Sequence, residues 1–133
     1  MIEEKTLLLH QHFNKIMERA QDYPIILLDE NGTILTWNKE VEKMKGFKKE
    51  EIIGQNICIF YLPQDRQEKL PQQLIETAKR TGTAKHIGKR IRKNGTTFWG
   101  SIIITAIRDE KNSVIGFTKL TRELPEGEYH SNS

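Results

Sequence analysis

Few side chains in this sequence have the chemistry of a catalyst or a metal ligand. The candidates are four histidines and one cysteine: His10, His12, His86, His130 and Cys58. His10 and His12 stand two residues apart in a segment that favours a helix, so their rings point to different sides and cannot share a metal. A single cysteine excludes an internal disulfide, a multi-cysteine zinc site and an iron–sulfur cluster. We therefore predict no metal site, with solvated histidines and Cys58 as a small buried hydrophobe.

The motifs on which common enzyme classes depend are also missing. The sequence has no Gly-rich phosphate loop, no zinc motif and no nucleophile elbow. The carboxylate pair Glu50 and Glu51 lies among lysines in a charged helical stretch, which is typical of a solvated surface. The sequence therefore predicts a protein that is not an enzyme and has no catalytic residue.

The composition is that of one globular domain. The chain has 133 residues, of which 36% are hydrophobic and 29% are charged. The 21 Lys and Arg residues are interspersed with 18 Asp and Glu residues, which argues against the single-sign stripe of a nucleic-acid-binding protein. Because neither a long apolar run nor a signal-peptide pattern is present, we expect a cytoplasmic protein without direct membrane contact.

The start of the chain predicts an amphipathic helix. Residues 3–20 contain no Gly or Pro, and apolar side chains recur at helical spacing along them. They form a narrow stripe of Leu9, Phe13, Ile16, Met17 and Ala20. Such a stripe requires a partner surface, so we treat residues 1–21 as a capping or dimerisation helix.

A β-hairpin and a helical insert are predicted next. The strand 25–28 leads to the Asn31-Gly32 turn, and 33–37 forms the return strand. Asn38 is suited to cap the first helix of the insert, since its side chain can accept an unpaired backbone N–H. Predicted helical segments of the insert are 38–45, 48–53, 56–61 and 65–80.

The second half of the sequence predicts three strands, at 85–93, 97–107 and 114–122. Together with the hairpin they give five antiparallel strands, which excludes a doubly wound parallel sheet. We predict one α+β domain over residues 22–124, followed by a polar, flexible tail at 125–133.

The strand at 97–107 is apolar on both faces. One face carries Phe98, Ile102, Ile104 and Ala106, and the other carries Trp99, Ile103, Thr105 and Ile107. An antiparallel sheet with one wet face should alternate, so the second face must be covered. The N-terminal helix and a second subunit are the two candidates.

Four local signatures, in this order and spacing, resemble the PAS domain family over about residues 22–124. They are Asp29-Glu30-Asn31-Gly32-Thr33-Ile34 running to Trp37-Asn38, Gly46-Phe47-Lys48-Lys49-Glu50-Glu51-Ile52-Ile53-Gly54, Arg92-Lys93-Asn94-Gly95-Thr96-Thr97-Phe98-Trp99, and Asp109 followed by Gly116-Phe117. The resemblance implies a five-stranded antiparallel sheet whose inner face and helical insert enclose a small pocket. It also implies an N-terminal helix on the outer face that often mediates dimers. Family members sense ligands, haem, flavin, redox state or light, or only dimerise, and signal to a linked output domain.

Two cofactors of the family are disfavoured by this sequence. A flavin photosensor of the LOV subgroup needs a Cys directly after Asn56, but Ile57 stands there and Cys58 follows one residue late, rotated by about 100°. The polar flavin contacts expected on the strands are replaced by Arg90, Gly100 and Thr121. The axial histidine of an oxygen-sensing haem domain is missing from 66–72. The cofactor therefore stays unknown.

The resemblance also implies which residues line the ligand pocket. They are Met44, Phe47, Ile57, Phe60, Leu74, Gly88, Arg90, Gly100, Ile102, Ile104, Phe117 and Thr121. The missing side chains of Gly88 and Gly100 could leave room for a ligand, or the phenylalanines could fill the space as an ordinary core. Arg90 distinguishes these outcomes, because an inward guanidinium requires an anionic ligand or a carboxylate partner.

Three functional hypotheses follow from this resemblance. The first is a sensory module that binds a small molecule in the inner pocket and alters the packing of its outer-face helix. The second is a ligand-free homodimerisation module, in which Leu9, Phe13, Ile16 and Met17 contact Trp99, Ile103 and Ile107. The third is the sensor fragment of a histidine kinase. In that case Pro125 would prevent an uninterrupted helix from the last strand into an output domain.

Overall fold

The computed structural model describes residues 2–20 and 22–125. The strands are Ile25–Asp29 (β1), Thr83–Ile91 (β2), Thr97–Arg108 (β3) and Val114–Glu123 (β4). The α-helices are Ile2–Ala20 (α1), Lys39–Lys45 (α2), Lys49–Ile52 (α3), Pro63–Gln67 (α4) and Leu70–Thr81 (α5), with a 3₁₀ helix at Ile57–Phe60. The predicted tail lies, apart from Pro125, outside the described residues.

The strands form one antiparallel sheet in the order β1-β4-β3-β2. The register places Phe117 of β4 opposite Leu28 of β1, and Thr121 opposite Ile102 of β3. The helical insert lies between β1 and β2 in the chain. The antiparallel α+β fold predicted from the sequence is confirmed.

The predicted fifth strand, 33–37, is not confirmed. The turn before it forms: Asp29 N donates to Thr33 O at 3.0 Å, and Gly32 adopts a positive φ of 84°. However, Ile34 N donates to Gln55 O at 2.9 Å, and Ile34 O accepts from Gly54 N at 2.9 Å. Because the insert takes the backbone groups of Ile34, only an isolated bridge between Ile34 and Leu28 remains.

The insert follows its local signals at α2 and departs from them later. Asn38 caps α2 by accepting from Val41 N at 2.9 Å, and Gly46 ends the helix with a φ of 83°. The predicted helix 65–80 is two helices, because Lys69 takes a left-handed conformation between α4 and α5. Pro71 explains the break, since proline lacks the N–H of a helix interior but fits a first turn.

Helix α1 covers the outer face of the sheet over β1 and β4. Its Leu9 and Phe13 are buried in a cluster with Ile25, Leu27, Ile107 and Ile115. Gly116 permits the close approach, because a Cβ there would lie 2.6 Å from Leu9 Cδ2 and 2.5 Å from Leu28 O. Of the two candidates for covering this face, α1 of the same chain therefore covers part of it.

We expect Gly116→Val to weaken the seat of α1. The added side chain collides with a backbone carbonyl that cannot move independently of β1, so the free energy of unfolding should fall by about 1–3 kcal/mol. Urea denaturation measures this loss. Ser113→Val, at an exposed position just before the same strand, should change stability by less than about 0.5 kcal/mol. Equal effects of the two substitutions would contradict the contact.

The main core lies between the inner face of the sheet and the insert. It contains Ile26, Leu28, Ile34, Trp37, Val41, Ile52, Ile57, Phe60, Tyr61, Leu74, Ala78, Ala84, Ile102, Ile104 and Phe117. Among the helices that the structure describes, none has the length and apolar character needed to span a membrane.

Candidate functional site

Three cationic side chains lie inside the main core. Lys45, Arg90 and Lys119 are 1%, 0% and 1% exposed, and we refer to them as the cation cluster. Among the described residues no Asp or Glu is buried, and no ion pair joins the cluster to a carboxylate. Three buried cations without a buried anion are unusual, because each charge taken out of water costs several kcal/mol unless it is paired.

Three separate elements bring the cation cluster together. Lys119 lies on β4 between Phe117 and Thr121, and the alternation of the strand turns all three side chains inward. Arg90 lies on the inner face of β2, and Lys45 is the last residue of α2. The cluster is therefore a product of tertiary structure.

Two aromatic rings of the insert touch the cluster. Lys45 Nζ lies 3.8 Å and Lys119 Nζ 4.8 Å from the centroid of the Phe60 ring, and Arg90 Cζ lies 3.9 Å from that of Tyr61. A cation on an aromatic face gains about 2 kcal/mol when desolvated. The rings therefore offset only part of the cost of burying these charges.

Several polar atoms at the cluster are buried without a partner. Arg90 donates from Nη1 to Lys89 O at 3.0 Å and from Nη2 to His86 Nδ1 at 3.3 Å. Among the described residues no group forms a hydrogen bond with Arg90 Nε, Lys119 Nζ or Tyr61 Oη. Each unsatisfied buried donor costs about 1–3 kcal/mol. The site is therefore incomplete as a hydrogen-bonding network.

Burial changes the protonation of the cluster. It lowers the pKa of Lys45 to about 7, an effect that nearby Lys119 partly opposes and the charge of Arg90 reinforces. The pKa of Lys119 falls well below its ordinary value because of burial and the charges of Lys45 and Arg90. Burial, together with Arg90, also lowers the pKa of His86. The charge of the cluster therefore changes near neutral pH.

The structure brings most of the predicted pocket residues to one place. Those in the main core or packed against it are Phe47, Ile57, Phe60, Leu74, Ile102, Ile104 and Phe117, and Thr121 is buried next to them on β4. Met44 lies at the margin, half-buried, with its carbonyl accepting from Arg92. The ligand-binding role of these residues stays a prediction.

The two strand glycines face each other across β2 and β3. The space above Gly88 is occupied, since a Cβ there would lie 2.5 Å from His86 Cε1 and 3.3 Å from Arg90 Nη1. Gly100 would meet Ile102 Cδ1 at 3.1 Å. Gly88 therefore lets the His86 ring and the Arg90 guanidinium meet over the strand.

Lys45 and Lys119 were not among the residues predicted from the sequence. Lys119 carried a usable signal, because it stands two residues from Phe117 and from Thr121, which were both predicted to face inward. Lys45 carried none, since it belongs to a run of lysines and glutamates that was interpreted as a solvated face.

The lone cysteine lies away from the cluster. Cys58 is half-buried, its Sγ accepts from Gln72 Nε2 at 3.7 Å, and it borders a surface groove beside Asn56. Ile57, one residue earlier, is buried in the main core. The thiol thus points away from the interior, which is the direction that the one-residue offset predicts.

The residues predicted for dimerisation separate into two groups. Leu9, Phe13 and Ile107 are buried within the chain itself. Ile16 is 38% exposed, whereas Met17, Trp99 and Ile103 are half-buried.

A bidentate ion pair holds the end of β4. Arg92 donates to Glu123 Oε1 at 3.1 Å and Oε2 at 3.0 Å, and its Nη1 donates to Met44 O at 2.7 Å. The guanidinium also lies 4.6 Å from the centroid of the Phe98 ring. Arg92 thereby links the end of α2 to the last residue of the sheet.

We expect Arg92→Lys to loosen this end of the sheet. A lysine cannot form two parallel bonds to one carboxylate and a third to a carbonyl, so stability should fall by about 1 kcal/mol. Amide exchange at Leu124, whose N donates to Trp99 O at 2.8 Å, should accelerate severalfold. Lys93→Met, which breaks an exposed pair with Glu51, is the control and should cost under about 0.5 kcal/mol. Unchanged exchange at Leu124 would contradict the prediction.

Comparison with known proteins agrees with this architecture. A family model for the PAS fold matches residues 11–122. The chain is 34% identical over 126 residues to Two-component system protein A of Emericella nidulans, which covers 95% of this chain and 18% of that protein. It is 32% identical over 82 residues to a blue-light photoreceptor of Listeria innocua, which covers 62% of this chain and 32% of that protein.

A solved structure shows the same fold. The PAS domain of a protein from Colwellia psychrerythraea superposes with a TM-score of 0.72 at 24% identity, covering 82% of this chain and 96% of that one. The chain spans less than a third of the length of the curated relatives just described. The match over residues 11–122, the antiparallel sheet with its helical insert, and the signalling relatives show that this chain belongs to the PAS family of sensory signal-transduction modules.

Proposed function

We propose that this module senses a small molecule bound between the insert and the inner face of the sheet. The observation that carries the proposal is the set of buried atoms without partners, Tyr61 Oη, Arg90 Nε and Lys119 Nζ. They lie where the family resemblance implies a ligand pocket. Because folded proteins satisfy nearly all their buried polar atoms, three such atoms at one site indicate a missing ligand.

Strand β4 offers a path from this site to the outer face. Lys119 and Phe117 point inward, while Gly116 between β1 and α1 points outward against Leu9. A shift of β4 that accommodates a ligand at Lys119 would therefore change the seat of α1. Such a signal is a population shift, and it requires a ligand that prefers one of two arrangements of α1.

Ligand screening by thermal unfolding tests the proposal. A compound present at about 100 times its Kd should stabilise the protein by about 2.7 kcal/mol, which raises its Tm measurably. Hydrogen exchange with and without that compound should then differ in α1 as well as in the insert. If no compound in a broad metabolite set shifts the Tm, and native mass spectrometry finds only the bare chain, the proposal fails.

Homodimerisation is the second candidate, and exposed apolar side chains on the outer face favour it. Ile87 is 47% and Ile16 38% exposed, and Ile103 is half-buried near them on the face that α1 leaves open. In sedimentation we expect a wild-type dimer that Ile16→Glu combined with Ile103→Glu converts to a monomer. Ile53→Glu, a substitution at equal exposure on the insert, should leave the dimer intact. A wild-type monomer at all concentrations would remove this candidate.

The output is proposed from the relatives. The Emericella protein is named as a two-component system protein, which supports a place for this module upstream of a kinase. The full-length gene decides this point, because a kinase domain would be encoded next to the module.

A further inference from the structure

The sign of the cation cluster indicates the charge of the ligand. The cluster has three basic groups, and none of the described Asp or Glu residues is buried beside it. We infer that the site binds a small oxyanion with two negative charges, a dicarboxylate or a phosphate, between Arg90, Lys119 and Lys45. This inference rests on the proposed function and specifies the class of ligand.

The three cations converge on adjacent rings. Lys45 Nζ and Lys119 Nζ lie 3.8 and 4.8 Å from the centroid of Phe60, and Lys119 Nζ also lies 5.8 Å from that of Tyr61. Arg90 stacks on the same Tyr61 ring, at 3.9 Å. Since Phe60 and Tyr61 are consecutive residues, one small ligand that replaces a ring face can contact all three cations.

The neighbouring titratable groups do not supply the missing negative charge. Asp65 is the acidic residue that acts on Arg90, on Tyr61 and on His86, but it is only half-buried and forms no ion pair with Arg90. Tyr61 is kept neutral, because burial raises its pKa. Cys58, which also acts on Tyr61, points to a surface groove.

The available donors match an oxyanion with several oxygens. The Arg90 guanidinium can give two parallel bonds to a carboxylate or a phosphate, and its Nε is unused. Lys119 Nζ and Tyr61 Oη are unused donors nearby. A single negative charge would leave at least one buried cation unpaired, whereas two charges can neutralise Arg90 and one ammonium group.

The depressed pKa values of the lysines imply that binding is coupled to protons. An anion stabilises the charged form of a lysine, so a site with neutral lysines must take up a proton when a dianion enters. Binding should therefore strengthen as the pH falls from about 9 towards 7.

Calorimetry with the whole chain tests the inference. Succinate and inorganic phosphate are the probes, and acetate and the uncharged succinamide are the comparators. We expect at least one dianion to bind at least about tenfold more tightly than acetate, and succinamide not to bind. At about pH 8, the heats in two buffers of different ionisation enthalpy should show proton uptake. Comparing succinate with phosphate identifies the source of the oxyanion.

Matched variants separate the site from general electrostatics. Lys119→Met and Arg90→Met should each weaken the dianion at least about tenfold, whereas Lys85→Met, with the same charge change at an exposed position of β2, should leave it within about twofold. Circular dichroism establishes that each variant is folded. An equal loss in Lys85→Met would overturn the inference.

The outcomes also separate this inference from the proposed function. If uncharged compounds bind and neither dianion does, the inference is overturned and the proposed function stands. If neither dianions nor uncharged compounds bind, both fail.

Discussion

Lys119→Met is expected to raise the free energy of unfolding of the ligand-free protein by about 1–4 kcal/mol at neutral pH. Replacing a fully buried, unpaired ammonium by an apolar chain of similar length removes its desolvation cost and keeps its packing against Phe60. Urea denaturation measures the change, and Lys85→Met on the exposed side of β2 should lie within about 0.5 kcal/mol of wild type. A loss of stability in Lys119→Met would mean that the ammonium has a partner in the ligand-free state.

The same substitution should alter how stability depends on pH. Between about pH 7 and 10 the unfolded chain keeps its lysines protonated, while folded Lys45, with a pKa of about 7, has lost its proton. The unfolded state then binds more protons, so stability rises with pH across this window, by up to about 1.4 kcal/mol per pH unit for each such lysine. Lys119 adds to the rise, because its pKa is also lowered, and its replacement should reduce the slope. A wild-type stability that is flat or falls over this range would contradict the neutral, buried lysines.

Phe60→Ala is expected to destabilise the protein by about 3–5 kcal/mol. The ring is fully buried, stacks on Trp37 with centroids 5.9 Å apart, meets Phe47 edge-on at 5.9 Å and carries two lysines on its face. Its removal leaves a cavity and takes away the cation–π contacts, so the two losses combine. Urea denaturation again measures the effect. Ile53→Ala, on the exposed side of the insert, should cost far less.

A double-mutant cycle tests whether ring and cation depend on each other. If Phe60 partly compensates the charge of Lys119, the cost of Phe60→Ala should be smaller in the Lys119→Met background by about 0.5–3 kcal/mol. Strict additivity would show that Phe60 acts only as an apolar filler.

These two predictions describe one trade-off. The ligand-free core contains charges that an aliphatic core would avoid, and their cost lowers its stability. An anion that pairs with those charges binds only the folded state and therefore restores stability by mass action. A module built in this way responds to its ligand, because the ligand supplies what the core lacks.

The sequence by itself determined the features that depend on neighbouring residues. The Asn38 cap, the Gly46 helix end, the turn after Asp29 and the alternation of β3 and β4 need only local hydrogen bonds and side-chain periodicity. From these the antiparallel α+β fold and most of the inner-face residues could be predicted.

Tertiary structure decided what depends on contacts between distant segments. The segment 33–37 did not become a strand, because Gly54 and Gln55 of the insert take the hydrogen bonds of Ile34. The inward position of Lys45 could not be read from its lysine-rich helix, since only the position of α2 on Phe60 shows which face of that helix is buried. Periodicity tells which side chains share a face, but the burial of a charge depends on what the rest of the chain places over it.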